Sequence, residues 1–333
     1  MKISIALCTY NGSKYLREQL DSLFNQTVKP HEIVVSDDSS TDETISILKE
    51  YQNRDSDIKL TIIENNSKLG VFKNFPYAIN KCTGDIIFTC DQDDFWMPNK
   101  LEKHMQMHGL DETIDLVYSN ADVIYNDIEH YLYPLWEVKS IQDKEKGQAS
   151  FNSLVIKGRS IAGCCMSFKK SFVEQIYPFP DDVYHDDWIA TNACLAGKIL
   201  GINESLIKYR KHGNNAVGIV RGGKLSFIKS LFTNVPFYVK SDMYIYKRHQ
   251  KVYAAIEKSK LLGDLVEKYR LHDNLIFYQN RSCYGKHPLL KCVKLLIDNL
   301  MLGRYRYHRG IFTFMKDLYN LLFIKLFRIN LDA

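Results

Sequence analysis

The chain has 333 residues, of which 45% are apolar and 25% are charged, and its formal net charge is +5. These proportions are typical of a globular protein, and the length leaves room for one large domain or two ordinary ones. No stretch approaches about 18 uninterrupted apolar residues, and the N-terminus lacks a charged region followed by an apolar core, so we expect neither a transmembrane helix nor a signal peptide.

The first 125 residues alternate between strand and helix signals. Strands are predicted at Ile3–Thr9, His31–Ser36, Ile58–Glu64, Asp85–Thr89 and Asp115–Ser119. Between them, helices are predicted at Ser13–Gln26, from Ser40 through Tyr51, at Phe75–Lys81 and after Pro98. Ser40 and Glu43 form a capping-box pattern, and Pro98 suits the first turn of a helix. The repeated β-α-β order predicts an α/β fold with a mostly parallel sheet and helices on both faces.

The rest of the chain follows a different pattern. Residues 126–160 lose the alternation and are interpreted as a partly mobile connection. Residues 161–216 return to short strands, with a helix near Asp187 to Ala196, and from about residue 223 the chain is mainly helical. We therefore predict an α/β domain at 1–222, in two halves at 1–125 and 126–222, and a helical region at 223–333.

The charge is distributed unevenly between these two parts. Residues 1–222 contain 24 Lys and Arg against 31 Asp and Glu, a net charge of −7, whereas residues 223–333 contain 20 against 8, a net charge of +12. Aliphatic and aromatic residues interleaved with the basic ones favour an anionic membrane surface as the partner of the second part over nucleic acid, which we do not expect. The alternative is a helical subdomain with a basic outer face.

Eight cysteines are spread along the chain without a CxxC pair, mostly in apolar surroundings. This pattern is not that of a zinc site or a disulfide framework, so we interpret them as reduced, buried thiols of a cytosolic protein. They are Cys8, Cys82, Cys90, Cys164, Cys165, Cys194, Cys283 and Cys292.

Three carboxylates, Asp91, Asp93 and Asp94, directly follow the apolar run that ends at Thr89. A strand ending in such a cluster places it at the carboxyl edge of the sheet, where open α/β sheets bind ligands. Close carboxylates raise one another's pKa unless a cation neutralises them, and Mg²⁺ or Mn²⁺ would do so while binding a diphosphate. The alternative is a solvated acidic turn.

Polar groups also follow the other predicted parallel strands, at 8–12, 37–42 and 65–70. Each alone is compatible with ordinary turn and cap chemistry, but together they predict one site at one edge. The chain contains neither G-x-G-x-x-G nor G-x-x-x-x-G-K-[ST], which disfavours a dinucleotide-binding or P-loop enzyme. Phosphates would then need a metal.

The chain resembles the inverting family 2 glycosyltransferases, which have the GT-A fold, in the ordered motifs T-Y-N-G at 9–12, D-D-x-S-x-D at 37–42 and D-Q-D-D-x-W at 91–96. The resemblance covers about residues 1–220. It includes the acceptor loop at Gly163–Met166, the acidic catalytic motif at His185–Trp188 and the histidine segment at Tyr209–Asn215. The set is most similar to the bacterial rhamnosyltransferase-type branch, which builds cell-wall polysaccharide, capsule or O-antigen.

The resemblance implies a nucleotide-sugar site in the first half of the domain. Asp38 is expected to accept a hydrogen bond from N3–H of uracil or thymine, and Asp37 shares or replaces it. Asp91 is expected at the ribose, and Asp94 either orients the donor sugar or caps a helix. The remaining implied nucleotide-sugar contacts are Thr9, Tyr10, Asn11, Gln92 and either Lys68 or Lys73, the latter being alternatively a solvated helix lysine.

The resemblance also implies a Mg²⁺ or Mn²⁺ ion bound by Asp93. His212 either completes the metal shell, contacts the diphosphate or is structural, and Arg210 holds either the diphosphate or a structural carboxylate. The ion would stabilise the leaving nucleoside diphosphate.

Catalysis and acceptor binding are implied for the second half. Asp186 is the expected general base, although His185 stands where many members have Glu, and Asp187 is the rival base or a helix cap. Trp96 and Trp188 either stack on sugar rings or belong to the core. The other implied acceptor contacts are Gly163, Cys164 and His185.

The expected activity is inverting, metal-dependent transfer of a sugar, first L-rhamnose from dTDP-rhamnose and alternatively galactose or glucose from a UDP-sugar. The expected acceptor is a saccharide hydroxyl of a bacterial surface polysaccharide precursor, linked to polyprenyl diphosphate. The protein is then cytoplasmic and peripheral at the inner face of the membrane. A sugar nucleotidyltransferase would carry a Gly-rich phosphate loop, and an inert scaffold would not need the intact carboxylates.

Overall fold

The computed structural model describes residues 1–125, 161–196 and 198–212, and beyond these residues 246–248, 250–251, 271–282, 288–304, 314, 317–318 and 321. The chain divides into two compact units, Met1–Leu154 with Arg159–Gly218, and Val155–Gly158 with Ile219–Ala333. The roles assigned to the two predicted domains stay predictions. The predicted connection at 126–160 lies outside the described residues.

The described part of the first unit contains an eight-stranded sheet in the order β3-β2-β1-β4-β7-β6-β8-β5. The strands are β1 Ile3–Thr9, β2 Glu32–Asp37, β3 Lys59–Glu64, β4 Ile86–Cys90, β5 Phe95–Trp96, β6 Leu116–Tyr125, β7 Met166–Lys169 and β8 Ile199–Lys211. Strands β1 to β4 pair in parallel, as the β-α-β order predicts. Every residue of β1, β2 and β4 is buried, as expected of parallel strands covered on both faces.

The second half of the sheet is mixed. Strand β7 pairs antiparallel with both β4 and β6, so the predicted fifth strand, β6, does not neighbour β4. Strand β8 pairs in parallel with β6 and antiparallel with the short β5. Because β7 directly follows the turn at Gly163–Cys165, its insertion beside β4 brings that turn next to the end of β4.

Helices connect the strands as α1 Ser13–Phe24, α2 Thr44–Gln52, α3 Val71–Lys81, α4 Lys100–Leu110, α5 Lys170–Ile176 and α6 His185–Leu195. Three predicted starts are wrong. Helix α3 begins at Val71, four residues before the predicted Phe75. Helix α2 begins at Thr44, where the Asp42 carboxylate accepts from the Thr44 N–H at 3.0 Å, so Ser40 and Glu43 form no capping box. Helix α4 begins at Lys100, two residues after Pro98.

A side-chain amide fixes the loop between β1 and α1. Gln92 Oε1 accepts from the Tyr10 N–H at 2.8 Å, and Gln92 Nε2 donates to the Tyr10 carbonyl at 3.0 Å. A Cβ atom on Gly12 would lie 2.2 Å from Gln92 Oε1, so this approach requires glycine. Asn11 has a φ of 46°, a left-handed conformation that asparagine tolerates well. Gln92 therefore connects the acidic loop to the first strand end.

The described residues of the second unit are helical, in α7 Leu271–Ser282, α8 Leu289–Met301 and short pieces. Arg281 Nε and Asp317 Oδ2 form a buried ion pair at 3.0 Å. Within the described segments, no helix combines the length and the apolar character needed to cross a bilayer. The seven cysteines in these segments are all buried and free, as predicted.

Replacing Gly12 by alanine should lower the free energy of unfolding by about 1–3 kcal/mol, because the added methyl group displaces Gln92 from Tyr10. The matched control is Gly109→Ala, where a Cβ atom meets nothing within 4 Å in the last turn of α4. Urea unfolding of both variants measures the difference. Equal stability of Gly12→Ala and the parent protein would show that Gln92 does not hold this loop.

Candidate active site

The polar groups predicted at the strand ends lie along one edge of the sheet. Because β1 to β4 are parallel, their last residues, Thr9, Asp37, Glu64 and Cys90, all lie at the carboxyl edge. The acidic loop 91–94 follows the central strand β4, with β1 on one side and β7 on the other. This edge is where open α/β sheets bind ligands.

Asp37 and Asp38 play different parts at the end of β2. The Asp37 carboxylate is buried and accepts from Thr9 Oγ1 and Ser40 Oγ, both at 2.6 Å, and from the Ser40 N–H at 2.8 Å. Asp37 and Thr9 therefore organise the loop. Asp38 accepts from the N–H groups of Leu69 at 2.5 Å and Gly70 at 3.0 Å. Each of its oxygens has another lone pair, so it can still accept from a base.

Exposed side chains lie in or just after the loops that follow the parallel strands. Tyr10 is 42% exposed, and Lys68 Nζ lies 3.5 Å from the centroid of its ring, a cation–π contact. Asn11 Oδ1 accepts from the Thr41 N–H at 2.8 Å, which links the first two loops. Lys73 is exposed and lies 3.6 Å from the Asp181 carboxylate, which agrees with the solvated alternative for this lysine.

The acidic loop contains three carboxyl groups whose pKa values are raised. Burial, assisted by repulsion from Asp93, raises the pKa of Asp91 to about 7. Burial and repulsion from both neighbours raise the pKa of Asp94 well above its usual range, and one of its oxygens has no hydrogen-bond partner in the described structure. Burial also raises the pKa of Asp93, although its contact with His212 opposes the shift.

Strand β8 and the residue directly after it supply two basic side chains to the loop. His212 Nε2 lies 2.8 Å from Asp93 Oδ2, and its ring stacks on Tyr15 with centroids 5.1 Å apart. Arg210 is buried, donates from Nε to the Asp93 carbonyl at 3.0 Å and pairs with Glu18 at 2.5 Å. Arg210 therefore contacts a structural carboxylate, which is the second of its two predicted roles.

The donor set fits a hard divalent cation. Adjacent ligands of an octahedral ion lie about 3 Å apart, close to the 2.8 Å between Asp93 Oδ2 and His212 Nε2. Among the described residues, Asp91, Asp94 and Cys164 form the one triple of potential ligands whose atoms lie within 4.8 Å of one another. We favour Asp93 and His212, because burial and the neighbouring Cys165 raise the pKa of the Cys164 thiol, and a protonated thiol is a poor ligand for Mg²⁺ or Mn²⁺.

Asp186 lies at the first turn of α6 and is connected to the acidic loop through Gly163. Its carboxylate accepts from the backbone N–H groups of Asp187, at 2.8 Å, and Gly163. The Gly163 carbonyl in turn accepts from Thr89 Oγ1 at 2.6 Å, one residue before the end of β4. Burial, repulsion from Asp187 and the charge of Asp91 raise the pKa of Asp186 to about 8.

His185 is packed behind this carboxyl group. Its ring stacks on Phe75 with centroids 4.0 Å apart, and burial lowers its pKa to about 3, so the ring is neutral. A Cβ atom on Gly163 would lie 2.6 Å from His185 Nε2, which explains the glycine at this position. His185 is 5% exposed, and it therefore supports the turn instead of presenting a surface to an acceptor.

Three other residues predicted to bind the acceptor are buried. Trp96 is 0% exposed and packs on Phe88, with centroids 5.9 Å apart. Trp188 is 7% exposed and donates from Nε1 to the Ile176 carbonyl at 3.0 Å. Both tryptophans therefore belong to the core, which is the second of the two roles predicted for them. Cys164 is 1% exposed and faces the acidic loop, so it too has no surface for an acceptor.

Sequence reasoning gave no role to two residues beside the acidic loop. Lys100 is fully buried, with Nζ 4.2 Å from the Trp96 ring centroid, and burial lowers its pKa to about 8. Tyr209 is half-buried, and burial with the nearby thiol and carboxyl groups raises its pKa. The only sequence signal for Lys100 is its spacing of four from His104, which puts both on one face of α4. In the structure His104 is buried, so this face is the inner one.

Solved structures share this fold. A crystal structure of TarS 1-349 of S. aureus in complex with UDP-GlcNAc has a TM-score of 0.57 at 19% identity, covering 96% of this chain and 89% of that one. The mannosyltransferase PcManGT from Pyrobaculum calidifontis, in complex with GDP-Man and Mn²⁺, has a TM-score of 0.56 at 18% identity, covering 99% and 88%. The fold is therefore that of the GT-A glycosyltransferases, as predicted.

Sequence comparison gives the family. Residues 4–177, more than half of the chain, match Glycosyl transferase family 2, so the chain belongs to that family and is a transferase. The dTDP-rhamnosyl transferase RfbG of Shigella flexneri is 29% identical over 227 residues, 64% of this chain and 73% of that protein. An uncharacterized glycosyltransferase of Nostoc sp., alr2836, is 27% identical over 231 residues, 65% and 66%. The chain spans about two thirds of the length of these relatives.

Mn²⁺ should raise the melting temperature of the protein, and Asp93→Asn should abolish that rise because it removes a charged ligand. The control is Asp57→Asn, an exposed carboxylate just before β3, at the opposite edge of the sheet. Differential scanning fluorimetry with and without Mn²⁺ measures the shift. The same rise in Asp93→Asn as in the parent protein would remove Asp93 from the metal site.

The affinity for Mn²⁺ should also fall as the pH is lowered through about 7. Binding needs an ionised Asp93, whose pKa is raised, and the negative charge of the neighbouring Asp91, whose pKa without metal is about 7, strengthens it. Below these values the apparent affinity should drop by about tenfold per pH unit for each proton displaced. Titration calorimetry between pH 8 and pH 6 measures this, and an affinity independent of pH would contradict it.

Proposed function

We propose that the chain transfers a sugar from a nucleoside-diphosphate sugar to a saccharide hydroxyl with inversion at the anomeric carbon, assisted by a divalent cation. One observation carries this proposal. The Thr89–Gly163–Asp186 connection holds a carboxyl group of raised pKa beside the acidic loop, although the two are about ninety residues apart in sequence. An acid–base group beside a phosphate-binding edge is what this transfer needs.

The donor is bound along the ends of β1, β2 and β4. Tyr10 offers an exposed ring for stacking on the base, and Asp38 accepts from the N3–H of uracil or thymine. Asp91 accepts from a ribose hydroxyl. Asp93 and His212 would hold Mn²⁺ or Mg²⁺, which supplies positive charge for the diphosphate as the leaving group.

Asp186 is the general base of the proposed reaction. It takes the proton of the acceptor hydroxyl while that oxygen forms a bond to the anomeric carbon. The bond from the anomeric carbon to the phosphate oxygen breaks, and its electron pair leaves with the nucleoside diphosphate. The pKa of about 8 makes Asp186 a stronger base than an ordinary carboxylate once it is ionised.

The first candidate for the donor is dTDP-L-rhamnose, and the relative RfbG of Shigella flexneri, which is a dTDP-rhamnosyl transferase, supports this choice. UDP-galactose and UDP-glucose are the alternatives. The TarS complexes with UDP and UDP-GlcNAc support a uracil nucleotide equally well. The proposed acceptor is a surface polysaccharide precursor on polyprenyl diphosphate, made at the cytoplasmic face of the membrane.

A donor panel tests the proposed reaction. Release of nucleoside diphosphate in the presence of Mn²⁺ should occur with one of dTDP-rhamnose, UDP-galactose, UDP-glucose and UDP-N-acetylglucosamine, and GDP-mannose is the control for the base. Thermal shift with the same donors separates binding from turnover. Binding of GDP-mannose alone would contradict the role of Asp38. Binding of none of the sugars would favour a non-catalytic scaffold.

Asp186→Asn should keep donor binding but lower the transfer rate by about 10²- to 10⁴-fold, because asparagine keeps the shape and loses the base. In the parent protein the rate should rise with pH through about 8, because Asp186 acts as a base only when it is ionised and its pKa is about 8. Single-turnover transfer at several pH values measures both effects. Asp187→Asn is the matched control, and loss of transfer in that variant alone would assign the base to Asp187.

A further inference from the structure

Helix α8 is apolar over more than half of its circumference, and its charged residues lie together in one sector. Only Lys291, Lys294, Asp298 and Asn299 of its 13 residues are polar. A soluble surface helix normally buries its apolar stripe, so large apolar side chains that stay exposed on the helix call for a further partner. Among the described residues, the buried side chains of α8 lie on one side of the helix.

Polar contacts fix which side of α8 faces inward. Cys292 and Leu296 are buried in a cluster with Leu321. On the same side, Asn299 Oδ1 accepts from Asn280 Nδ2 at 3.0 Å and from Arg304 Nη1 at 3.3 Å. These bonds would break if the helix turned about its axis, so the opposite side is fixed as the outward one.

Three large apolar side chains occupy the outward side. Leu290 is 85% exposed, Ile297 48% and Met301 79%. Their spacing of i, i+7 and i+11 places them on one face of the helix, which we call the outer face of α8. Lys294 is exposed between them, and Lys291 is exposed at the side. The outer face thus combines exposed apolar side chains with two positive charges, and the half-buried Asp298 beside Lys294 leaves it net positive.

We propose that the outer face of α8 docks on an anionic lipid surface. Interfacial helices bury apolar side chains at the boundary between headgroups and acyl chains, while their lysines attract anionic lipid. The net charge of +12 on residues 223–333 adds to that attraction. At 13 residues the helix is about 20 Å long, too short to span a hydrocarbon core of about 30 Å, so it lies on the membrane.

A second copy of the chain is a poorer occupant of this face. A twofold interface brings the same patch of both copies together, so two faces of the same net positive charge, two lysines against Asp298, would meet. An anionic surface instead neutralises both Lys291 and Lys294. The charge on the face therefore decides between the two occupants.

Flotation of the full-length protein with vesicles tests the proposal without donor or acceptor, so its result does not depend on the proposed reaction. At low salt the protein should float with equimolar phosphatidylcholine and phosphatidylglycerol, and it should float much less with phosphatidylcholine alone. Leu290→Glu combined with Met301→Glu should abolish flotation. Lys291→Gln and Lys294→Gln, which each remove one positive charge, should each weaken binding by about fivefold. The matched control is Leu110→Glu, since Leu110 is 73% exposed at the end of α4 in the other unit.

Circular dichroism and sedimentation velocity accompany each variant. A parent protein that does not float at low salt would overturn the proposal. Flotation of the Leu290→Glu, Met301→Glu variant equal to that of the parent would do the same. A parent dimer that becomes monomeric in this variant, with no vesicle binding by either, would assign the face to a second copy of the chain.

Discussion

Three carboxyl groups lie close together and largely shielded from water at the end of β4. The rest of the described domain is arranged around this constraint. Ions that are both desolvated and mutually repelling are costly, and the raised pKa values of Asp91, Asp93 and Asp94 express that cost. The basic groups nearby relieve it only in part. Arg210 bonds to the backbone carbonyl of Asp93 in the loop and to the Glu18 carboxylate. A bound cation would relieve the remainder.

This constraint explains which parts of the chain meet at the loop. Gln92 ties it to the end of β1, and the Asp94 carboxylate accepts from the Arg210 N–H of β8 at 2.9 Å. Gly163 connects it to α6 and Asp186. The loop is thus held from the donor side and from the acceptor side. A change of charge at the loop is felt by Asp186, because Asp91 contributes to the raised pKa of that carboxyl group.

The sequence predicted the parallel half of the fold well because that half is local. Each strand is a short apolar run followed by a helix of clear periodicity, and the parallel order of β1 to β4 follows from right-handed β-α-β connections. The insertion of β7 between β4 and β6 could not be predicted in this way. Its pairing is non-local. The strand has only four residues, Met166–Lys169, which is too short a sequence pattern to predict the strands it pairs with.

The candidate site shows the same limit at the level of side chains. Motifs located the acidic loop, Asp38, Asp186 and His212 because each motif lies next to a strand or helix end. They did not reveal which side chains face inward. Trp96 and Cys164 stand in the right motifs but are buried, since the direction of a side chain depends on contacts with distant elements. Lys100 is the converse, a lysine that packing places beneath the site.

The most direct measurement of the central claim is anomalous diffraction at the manganese edge from crystals grown with Mn²⁺ and a nucleoside diphosphate. We expect a peak within coordination distance of Asp93 Oδ2 and His212 Nε2, next to the diphosphate, with Asp186 on the far side of the position of the donor sugar. A peak coordinated instead by Asp91, Asp94 and Cys164, or a diphosphate bound away from Asp93, would contradict it.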